Sequence, residues 1–477
     1  MYCGYITTLK NVRPHPNADR MKLADCFGNT VCVGIDANEG DVVCYFPTDG
    51  QLSEEYATKN NLVRRKDDAG NNVGGYLDPE KRNIRAIKLR GEKSDGITMP
   101  LESFAYTGVD IATLTIGTQI TVVNGHEICQ KYIPRSNQRA PRDGGNRVRK
   151  HKDPIAPLFQ EHADTEQLAY NLGAFKPGDE IEITLKIHGT SQRTANLPVL
   201  TGHKRTLWDR IKRRPGTPIY EYGGVSGTRR VVLESYEGGF YGSNEFREQH
   251  SKAFEGKLWK GETVYYEVAG FTHTGAPIMA SCDNKKLQDK EFVKQYGKET
   301  VFSYGCSPNC SEVIDYWDEE KTQPSICKIV PQSRIFVYRM TMTNPDGEVV
   351  EYTPDFMRYR CEQMGVETVP VLYRGFLEAI EQPSGEIEYR LVGKNAADMY
   401  GYESVGSLIQ TMAECFYDGP DPIGKTHVRE GVVVRIINRP KFTAYKHKNW
   451  SFKALEGIVK VEAEAPDMEE AQDELNP

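Results

Sequence analysis

The sequence predicts an α+β protein that is built largely from strands and divided into two domains. Strand patterns separated by turn residues run through most of the 477 residues, with few helical patterns between them. A chain of this length is typical of two or three domains. A stretch rich in arginine, proline and glycine interrupts the strand patterns. We therefore expect one domain at residues 1–130, a basic linker at 131–155, a second domain at 156–460 and an acidic disordered tail at 461–477.

The composition is that of a soluble globular protein, with 38% hydrophobic and 27% charged residues. No run of about 18 apolar residues would span a bilayer, and the N-terminus lacks the basic and apolar regions of a signal peptide. Eleven cysteines without a regular framework indicate a reducing compartment. We expect a cytoplasmic protein, in the host-cell cytoplasm if it is viral, with no membrane partner.

Three of the cysteines resemble part of a metal knuckle. Cys306 and Cys310 are four residues apart, and Cys327 follows. A fourth ligand at regular spacing is missing, so free thiols in a loop are the favoured interpretation.

Charge is distributed unevenly along the chain. Seven of the acids, and no lysine or arginine, lie in the last 17 residues, so the rest of the chain has 60 bases and 60 acids. Residues 131–152 carry eight Lys/Arg and one acid, and residues 204–214 carry six Lys/Arg and one acid. Such clusters either contact a phosphate backbone or form a solvated linker and a solvated loop.

The first domain reads as short strands, the clearest at residues 30–34, 41–46 and 119–123. Their spacing predicts a small β-barrel. Residues 15–20 (HPNADR) resemble a segment of OB-fold tRNA-binding modules, and residues 89–96 (LRGEKSDG) resemble a segment of the N-terminal OB domain of one RNA ligase family. These resemblances imply an OB-like nucleic-acid-binding domain, in which three tyrosines are candidates for stacking on bases: Tyr2, Tyr5 and Tyr45.

In the second domain, residues 181–188 alternate strictly between apolar and polar side chains. This period predicts a half-buried strand with Lys186 on its polar face. The strand leads into Gly189-Thr190-Ser191, a turn small enough for close approach of a ligand. A lysine held there suits a positioned amine nucleophile. For an isolated lysine, a solvated edge strand is the alternative.

Residues 186–191 (KIHGTS) resemble motif I of the covalent nucleotidyltransferases, which comprise RNA ligases, DNA ligases and mRNA capping enzymes. A motif with histidine two residues after the lysine resembles that of the RNA ligase branch, since DNA ligases and capping enzymes usually carry aspartate at that position. Five further segments resemble motifs of this superfamily in its order: 224–229 (GVSGTR), 264–270 (VYYEVAG), 335–339 (IFVYR), 430–435 (EGVVVR) and 444–448 (AYKHK). The resemblance implies that residues 156–460 form a nucleotidyltransferase (adenylation) domain with an ATP-grasp-like antiparallel sheet.

The resemblance also implies roles for particular residues. Lys186, Lys446 and Lys448 would be catalytic, and Glu430 would bind a metal ion. The nucleotide would be bound by Lys186, His188, Arg229, Glu267, Phe336, Lys446 and Lys448.

Some of these assignments have alternatives. His188 would contact phosphates or support the turn after Lys186, and Phe336 would stack on adenine or belong to the core. Arg205, in the basic insertion, rivals Arg229 as the phosphate-binding arginine.

Lys446 and Lys448 share one face of a predicted strand. Two like charges in this position are unfavourable unless an anion lies above them. A triphosphate would be such an anion, whereas a solvated edge strand would tolerate the pair without one.

The sequence therefore predicts an ATP-dependent RNA ligase that requires Mg²⁺ or Mn²⁺. It would join a 3′-hydroxyl to a 5′-phosphate RNA end, in a break or a nicked duplex, through lysyl–AMP and an adenylylated 5′-phosphate. We expect a monomer.

Two alternatives remain. A DNA ligase or capping guanylyltransferase would normally carry its OB domain after the last motif, where only about thirty residues follow Lys448. A catalytically inactive, ligase-like RNA-binding protein is disfavoured because Lys186, Glu267, Glu430 and both final-motif lysines are present.

Overall fold

The computed structural model describes residues 2–48, 50–66, 72–75, 77–85, 87–90, 92–132, 153–162, 165–212, 216–233, 236, 245–272, 275–287, 289–304, 315–316, 326–327, 332–394 and 398–455. Most of the expected linker, the side chains of the three cysteines discussed above and the expected tail lie outside the described residues.

Seven α-helices lie within the described residues: α1 (Glu54–Lys59), α2 (Leu207–Ile211), α3 (Glu245–Lys252), α4 (Lys290–Tyr296), α5 (Pro354–Met364), α6 (Val405–Tyr417) and α7 (Trp450–Leu455). Four of these helices have an N-cap residue whose side chain accepts a hydrogen bond from a backbone N–H group in the first turn. The N-cap residues are Ser53, Asp289, Thr353 and Ser404. No helix among the described residues is long and apolar enough to cross a membrane.

The first fifteen strands precede residue 132: β1 (Gly4–Thr8), β2 (Lys10–Pro14), β3 (Met21–Cys26), β4 (Asn29–Gly34), β5 (Val42–Phe46), β6 (Gly50–Leu52), β7 (Arg64–Lys66), β8 (Asn72–Gly74), β9 (Ile87–Leu89), β10 (Glu92–Ser94), β11 (Ile97–Pro100), β12 (Gln119–Ile120), β13 (Val122–Val123), β14 (His126–Glu127) and β15 (Cys129–Lys131). The remaining described strands are β16 (Glu166–Gln167), β17 (Glu180–Leu185), β18 (Thr190–Lys204), β19 (Thr217–Gly227), β20 (Glu262–Gly270), β21 (Cys282–Asp283), β22 (Glu299–Thr300), β23 (Asp315–Tyr316), β24 (Ile326–Cys327), β25 (Ser333–Thr343), β26 (Val349–Glu351), β27 (Val371–Glu381), β28 (Ile387–Gly393), β29 (Met399–Tyr402), β30 (Gly431–Ile436) and β31 (Thr443–Lys448).

The chain divides into two compact units. Unit 1 comprises Met1–Arg135, Lys286–Gln288 and Trp450–Asp467, so α7 belongs to it although it follows the last strand of the chain. Unit 2 comprises Ser136–Lys285, Asp289–Asn449 and Met468–Pro477.

Unit 1 is strand-rich, with a four-stranded sheet in the order β11-β5-β1-β12 and a three-stranded sheet in the order β2-β3-β4. The side chains of Ile6, Phe46, Tyr56 and Phe104 are fully buried in one core. Among the described residues these strands do not join into a closed barrel. The strand-rich α+β prediction is therefore confirmed, whereas the OB-like barrel is not.

The two segments of unit 1 that resemble OB domains lie side by side. The ring nitrogen Nε2 of His15 is 3.1 Å from the carbonyl oxygen of Leu89, and the Asn17 side chain donates a hydrogen bond of 2.9 Å to the carbonyl oxygen of Arg90. Tyr45 is fully buried, and its hydroxyl donates to the carbonyl oxygen of Asp95. The proposal that Tyr45 stacks on bases is therefore wrong, because neither face of its ring is exposed.

Unit 2 contains two larger sheets. One has seven strands in the order β16-β31-β30-β17-β27-β28-β29, and the other has five in the order β19-β18-β20-β25-β26. Helix α6 packs the apolar side chains Leu408, Ile409 and Met412 into the same core as Ile183 and Val432 of the seven-stranded sheet. Apolar residues at helical spacing on α6 thus meet apolar residues at alternate strand positions.

Strand β17 occupies the centre of the seven-stranded sheet and differs from its prediction in one respect. It pairs antiparallel with β27 on one side and β30 on the other, and all of its residues are buried. Its alternation therefore separates two buried faces instead of a buried and an exposed one. The strand ends at Leu185, so Lys186 follows the strand directly instead of lying within it.

The polar face of β17 begins with a network of ion pairs. Arg358 pairs with Glu182 at 2.9 Å and with Asp355 at 2.8 Å. Arg374 pairs with Asp355 at 2.6 Å and with Glu180 at 2.7 Å. Lys394 also pairs with Glu180, at 3.1 Å. Three cations thus meet three carboxylates, which explains how acidic side chains on a central strand can be buried.

Candidate active site

Strand pairing brings Lys186 and Lys448 to opposite sides of the start of β30. Leu185 pairs with Val432, and the next N–H group, that of Lys186, donates a hydrogen bond of 3.0 Å to the carbonyl oxygen of Gly431. On the other side of β30, Gly431 pairs with Lys448 of β31. The two lysines thus flank Gly431, with Lys186 just beyond the end of β17 and Lys448 at the end of β31.

Glu430, the residue before β30, lies between these lysines. Its Oε1 is 2.7 Å from Lys186 Nζ and 3.2 Å from Lys448 Nζ, and its Oε2 is 3.7 Å from His188 Nδ1. Glu430 is 1% exposed. One buried carboxylate oxygen is therefore shared by two ammonium groups.

The charges around Glu430 determine its protonation state. Burial alone would raise the pKa of its carboxyl group, but Lys186, Lys448 and His188 hold that pKa well below its usual range. Glu430 is therefore ionised at neutral pH.

Two glycines allow the backbone to approach closely around the site. Gly431 has φ of +149°, and a Cβ atom there would lie 2.2 Å from the carbonyl oxygen of His447. A Cβ atom at Gly189 would lie 2.6 Å from the carbonyl oxygen of Val268. A larger residue at Gly431 would push β30 away from β31, and one at Gly189 would push the turn after Lys186 away from β20.

A buried arginine braces the turn after Lys186. Arg247 of α3 is 1% exposed; it donates to the carbonyl oxygen of Ser191 at 3.0 Å and to Thr190 Oγ1 at 2.6 Å. In return, Gln192 donates to the carbonyl oxygen of Arg247 at 2.9 Å. Helix α3 is thus fixed to the start of β18.

The five-stranded sheet supplies the two predicted nucleotide-binding residues Glu267 and Phe336. In the strand register, Ser191 of β18 pairs with Glu267 of β20, and Glu267 pairs with Phe336 of β25. Phe336 is 1% exposed, and the Arg334 guanidinium carbon lies 5.1 Å from its ring centroid. The side chain is thus part of the core in this structure.

An aromatic pair joins Phe336 to His188. The Phe302 ring packs 4.4 Å from the His188 ring, and the Tyr304 ring lies 6.2 Å from Phe336 in an edge-on arrangement. Both rings contact His427, at centroid distances of 5.3 Å and 5.0 Å. These contacts link the histidine of the KIHGTS turn with the segment before Glu430.

Asp421 fixes Tyr304 in this position. The Tyr304 hydroxyl donates to Asp421 Oδ2 at 3.0 Å, while Asp421 Oδ1 accepts from the N–H groups of Ile423 and Gly424. Burial, followed by the negative charge of Asp421, raises the pKa of Tyr304 well above its usual range. Tyr304 therefore remains a hydrogen-bond donor at any physiological pH.

The other predicted site residues lie in three places. Lys446 is on the same face of β31 as Lys448 and pairs with Val433. Arg229 lies two residues after the end of β19 at Gly227, and its carbonyl oxygen accepts a hydrogen bond from the backbone N–H group of His162. Arg205 is exposed and follows the opposite end of β18.

The structure thus brings together Lys186, His188, Lys448 and Glu430. Sequence reasoning missed Arg247, Phe302, Tyr304, His427 and Asp421, which hold these residues. Their contacts join distant parts of the chain, and no periodic pattern or motif in the sequence predicts these residues.

Glu430 is suited to hold a divalent metal ion together with phosphate oxygens. The 3.7 Å distance from its Oε2 to His188 exceeds hydrogen-bond length, so this oxygen retains capacity to accept. Among the described residues no group of three or more His, Cys, Asp or Glu side chains forms a metal cage. Mg²⁺ is commonly bound in this way, by one or two carboxylates and substrate phosphates.

No protein-family model matches the chain, and no curated protein matches it either. Solved structures do match over nearly the whole length. One is Naegleria gruberi RNA ligase with pyrophosphate, with a TM-score of 0.50 and 14% identity over 94% of this chain and 97% of that chain. An arginine-to-alanine variant of that enzyme with ATP and Mn gives a TM-score of 0.50 at 14% identity over 94% of this chain and 97% of the other.

A lysine-to-alanine variant of the Naegleria gruberi enzyme without ligand also matches, with a TM-score of 0.50 at 14% identity over 94% of this chain and 96% of the other. At this identity the likeness is one of fold. It confirms the resemblance that the motifs predicted: the chain is folded like an RNA ligase.

Proposed function

We propose that this chain is an ATP-dependent RNA ligase that joins a 3′-hydroxyl to a 5′-phosphate end. The observation that carries the proposal is the convergence of Lys186 and Lys448 on the buried carboxylate of Glu430. The similar RNA ligase structures that contain pyrophosphate, or ATP and Mn, support it.

In the first step, the neutral Lys186 amine attacks the α-phosphorus of ATP. A nitrogen–phosphorus bond forms, the bond from that phosphorus to the bridging oxygen breaks to release pyrophosphate, and the nitrogen loses one proton to solvent. Lys448 and Lys446, on one strand face beside Lys186, would stabilise the negative charge of the phosphates.

Two group transfers complete the reaction. A 5′-phosphate oxygen displaces Lys186 from the AMP phosphorus while the leaving nitrogen takes up a proton, which gives an adenylylated 5′ end and regenerates the amine. The 3′-hydroxyl then attacks the 5′-phosphate, loses its proton and expels AMP. The product is a phosphodiester bond.

Glu430 would hold Mg²⁺ or Mn²⁺ when the nucleotide is bound, and the ion would neutralise charge on the phosphates. The same carboxylate is paired with Lys186 in the present structure. A carboxylate beside a lysine favours the charged ammonium, which cannot attack. Sharing Glu430 with another cation would weaken that effect and favour the reactive amine.

Glu267 is proposed to bind the ribose hydroxyls of the nucleotide, whereas Phe336, whose ring is buried, supports this part of the site from the core. His188 and Arg229 are proposed to contact phosphates. Unit 1 is proposed to be an OB-like domain that binds nucleic acid.

Incubation with ATP labelled at the α-phosphate, and separately with labelled GTP, tests the proposal. We expect a covalent protein–AMP adduct from ATP, acid-labile as a phosphoramidate is, and sealing of a nicked duplex with ribose at the 3′-hydroxyl side. Labelling by GTP alone would indicate a capping guanylyltransferase. Sealing only of DNA would indicate a DNA ligase, and no adduct with either nucleotide would indicate a binding protein.

A further inference from the structure

Strands β18 and β19 extend beyond the five-stranded sheet as an arm. Strand β18 pairs with β20 only from Thr190 to Ala195, but its pairing with β19 continues to Lys204 and Thr217. At about 3.4 Å per residue, the nine residues from Asn196 to Lys204 span roughly 30 Å. The arm is therefore a direct extension of the strand that begins at the Lys186 turn.

Residues 153–155 contact strand β18 of the arm below its tip. The N–H group of Leu200 donates to the carbonyl oxygen of Ile155, and His203 Nε2 is 2.8 Å from the Asp153 carboxylate. These contacts hold the arm as far as His203. Beyond them lies the segment we call the arm tip, residues 204–212.

The arm tip exposes three large apolar side chains. Leu207 is 76% exposed, and Trp208 and Ile211 are each 70% exposed. They occupy positions i, i+1 and i+4 of α2, so they lie on one side of this short helix. Exposed apolar side chains in such a cluster usually mark an interaction surface.

Hydrogen bonds at the start of α2 define the conformation that exposes these side chains. The Asp209 carboxylate accepts from Thr206 N at 3.0 Å and from Thr206 Oγ1 at 2.6 Å, and Asp209 N donates to Thr206 Oγ1 at 3.2 Å. This is a reciprocal cap of the capping-box type. It also engages the one carboxylate of the tip.

The remaining charges of the tip are positive. Lys204, Arg205 and Lys212 are exposed, and residues 204–214 together carry six Lys/Arg and one acid. In the sequence, the basic stretch 131–152 ends at the residue before Asp153, which pairs with His203 at the base of the tip. Positive charge next to the aromatic ring of Trp208 and the aliphatic side chains of Leu207 and Ile211 is suited to a partner that contains phosphates and stacked bases.

We propose that the arm tip binds the RNA substrate, an inference that rests on the proposed function. Lys204, Arg205 and Lys212 contact backbone phosphates, while Trp208 stacks on an exposed base or base pair. Leu207 and Ile211 pack beside it, as apolar wedges do at base steps. Charge complementarity favours RNA over an uncharged protein surface.

The test measures binding of a fluorescent nicked RNA duplex to the full chain, by anisotropy, over a range of salt concentrations. Trp208→Ala should weaken binding by roughly 10- to 100-fold. Lys204→Gln with Lys212→Gln should reduce the slope of log affinity against log salt by about 1–2. Tyr400→Ala and Lys294→Gln, which alter exposed residues elsewhere, are matched controls and should behave as wild type.

A second readout separates this inference from the proposed ligase activity. Labelling of Lys186 by ATP should be unchanged in all four variants, which also shows that they fold. RNA binding by Trp208→Ala equal to that of wild type would overturn the proposal. If the wild type is not labelled by ATP but still binds RNA more tightly than Trp208→Ala, the proposed ligase activity is rejected and RNA binding by the arm tip stands.

Fluorescence distinguishes RNA from a lipid surface as the occupant. The emission of Trp208 is obtained by subtracting the spectrum of Trp208→Phe from that of wild type. RNA should quench this emission. A blue shift with vesicles of phosphatidylserine and phosphatidylcholine, and no response to RNA, would assign the tip to membranes and reject the proposal.

Discussion

The two ends of one face of the seven-stranded sheet bury charge in different ways. Glu182 and Lys186 lie four residues apart, Glu182 on β17 and Lys186 just beyond its end. Around Glu182 and Glu180, three cations meet three carboxylates. Around Glu430, two ammonium groups share one carboxylate oxygen. The first arrangement is a balanced structural network, whereas the second is suited to receive a further anion.

Lys186, the proposed nucleophile, gives the largest expected contrast between the two ends. Lys186→Ala should reduce labelling by ATP more than about 1000-fold, because the group that forms the bond to phosphorus is gone. Lys394→Ala, which removes a lysine from the balanced network, should label normally. Gel detection of the adduct after reaction with α-labelled ATP measures both, and an adduct on Lys186→Ala would reject the assignment.

Glu430→Gln should leave two neighbouring ammonium groups without their carboxylate. We expect unfolding free energy to fall by about 3–5 kcal/mol and labelling to fall about 100-fold or more. Pyrophosphate should restore much of the lost stability, since it supplies the missing negative charge. Thermal unfolding with and without pyrophosphate measures this.

Glu182→Gln is the matched control for that experiment. It also removes a carboxylate from an ion pair, that with Arg358, and should lower stability. Pyrophosphate should not restore it. Equal restoration of both variants would mean that the two ends bury charge in the same way.

Acid should weaken the Lys186 end through His250 of α3. Burial lowers the pKa of His250 to about 4, and the nearby Arg247 contributes. Between pH 6.5 and about 4 the unfolded chain therefore binds more protons than the folded one, so stability falls as pH falls, by up to about 1.4 kcal/mol per pH unit.

His250→Gln retains a partner for Ser333 Oγ, to which His250 Nε2 is hydrogen-bonded at 2.7 Å, and removes the titration. Urea unfolding at pH 7, 6 and 5 should show a flatter pH dependence for this variant. At the other end, the arginines hold the pKa of Asp355 below its usual range, so its ion pairs persist over this interval. An unchanged slope in His250→Gln would exclude this histidine as the cause.

The smallest expected effect comes from Tyr304→Phe, which removes the hydrogen bond to Asp421. If the loss of this hydrogen bond weakens ATP binding by about 1 kcal/mol, KM for ATP should rise roughly fivefold, with kcat little changed. Tyr352→Phe is the control, because the Tyr352 hydroxyl donates to Glu262 in an ion pair with Arg360 away from Lys186. A similar rise in KM for both variants would indicate a purely structural effect.

The sequence predicted the charged residues of the candidate site better than it predicted the burial of the residues around them. The alternation before Lys186 and the order of the motifs identified Lys186, Glu430 and Lys448, which the structure brings together. Alternation reports polarity, however, and not burial. It therefore placed Glu182 on an exposed face, whereas Arg358 allows that carboxylate to be buried.

Residues that act through tertiary contacts were not predictable. Tyr304 and Arg247 lie in segments without a motif, and their partners, Asp421 and Ser191, are far from them in sequence. The same limit applies to the basic insertion. Its charge was evident, but the arm that carries Arg205 away from the sheet depends on the register of β18 and β19.

The position of β30 between β17 and β31 has a consequence for synthesis of the protein. Lys186 and Lys448 are 262 residues apart (448 − 186). At roughly 5–20 residues per second, a ribosome needs tens of seconds to connect them. During that interval Lys186 lacks the partner strand that supplies Glu430. Chains terminated before Lys448 would therefore carry Lys186 without the rest of the proposed site, and adenylylation would report that translation has passed Lys448.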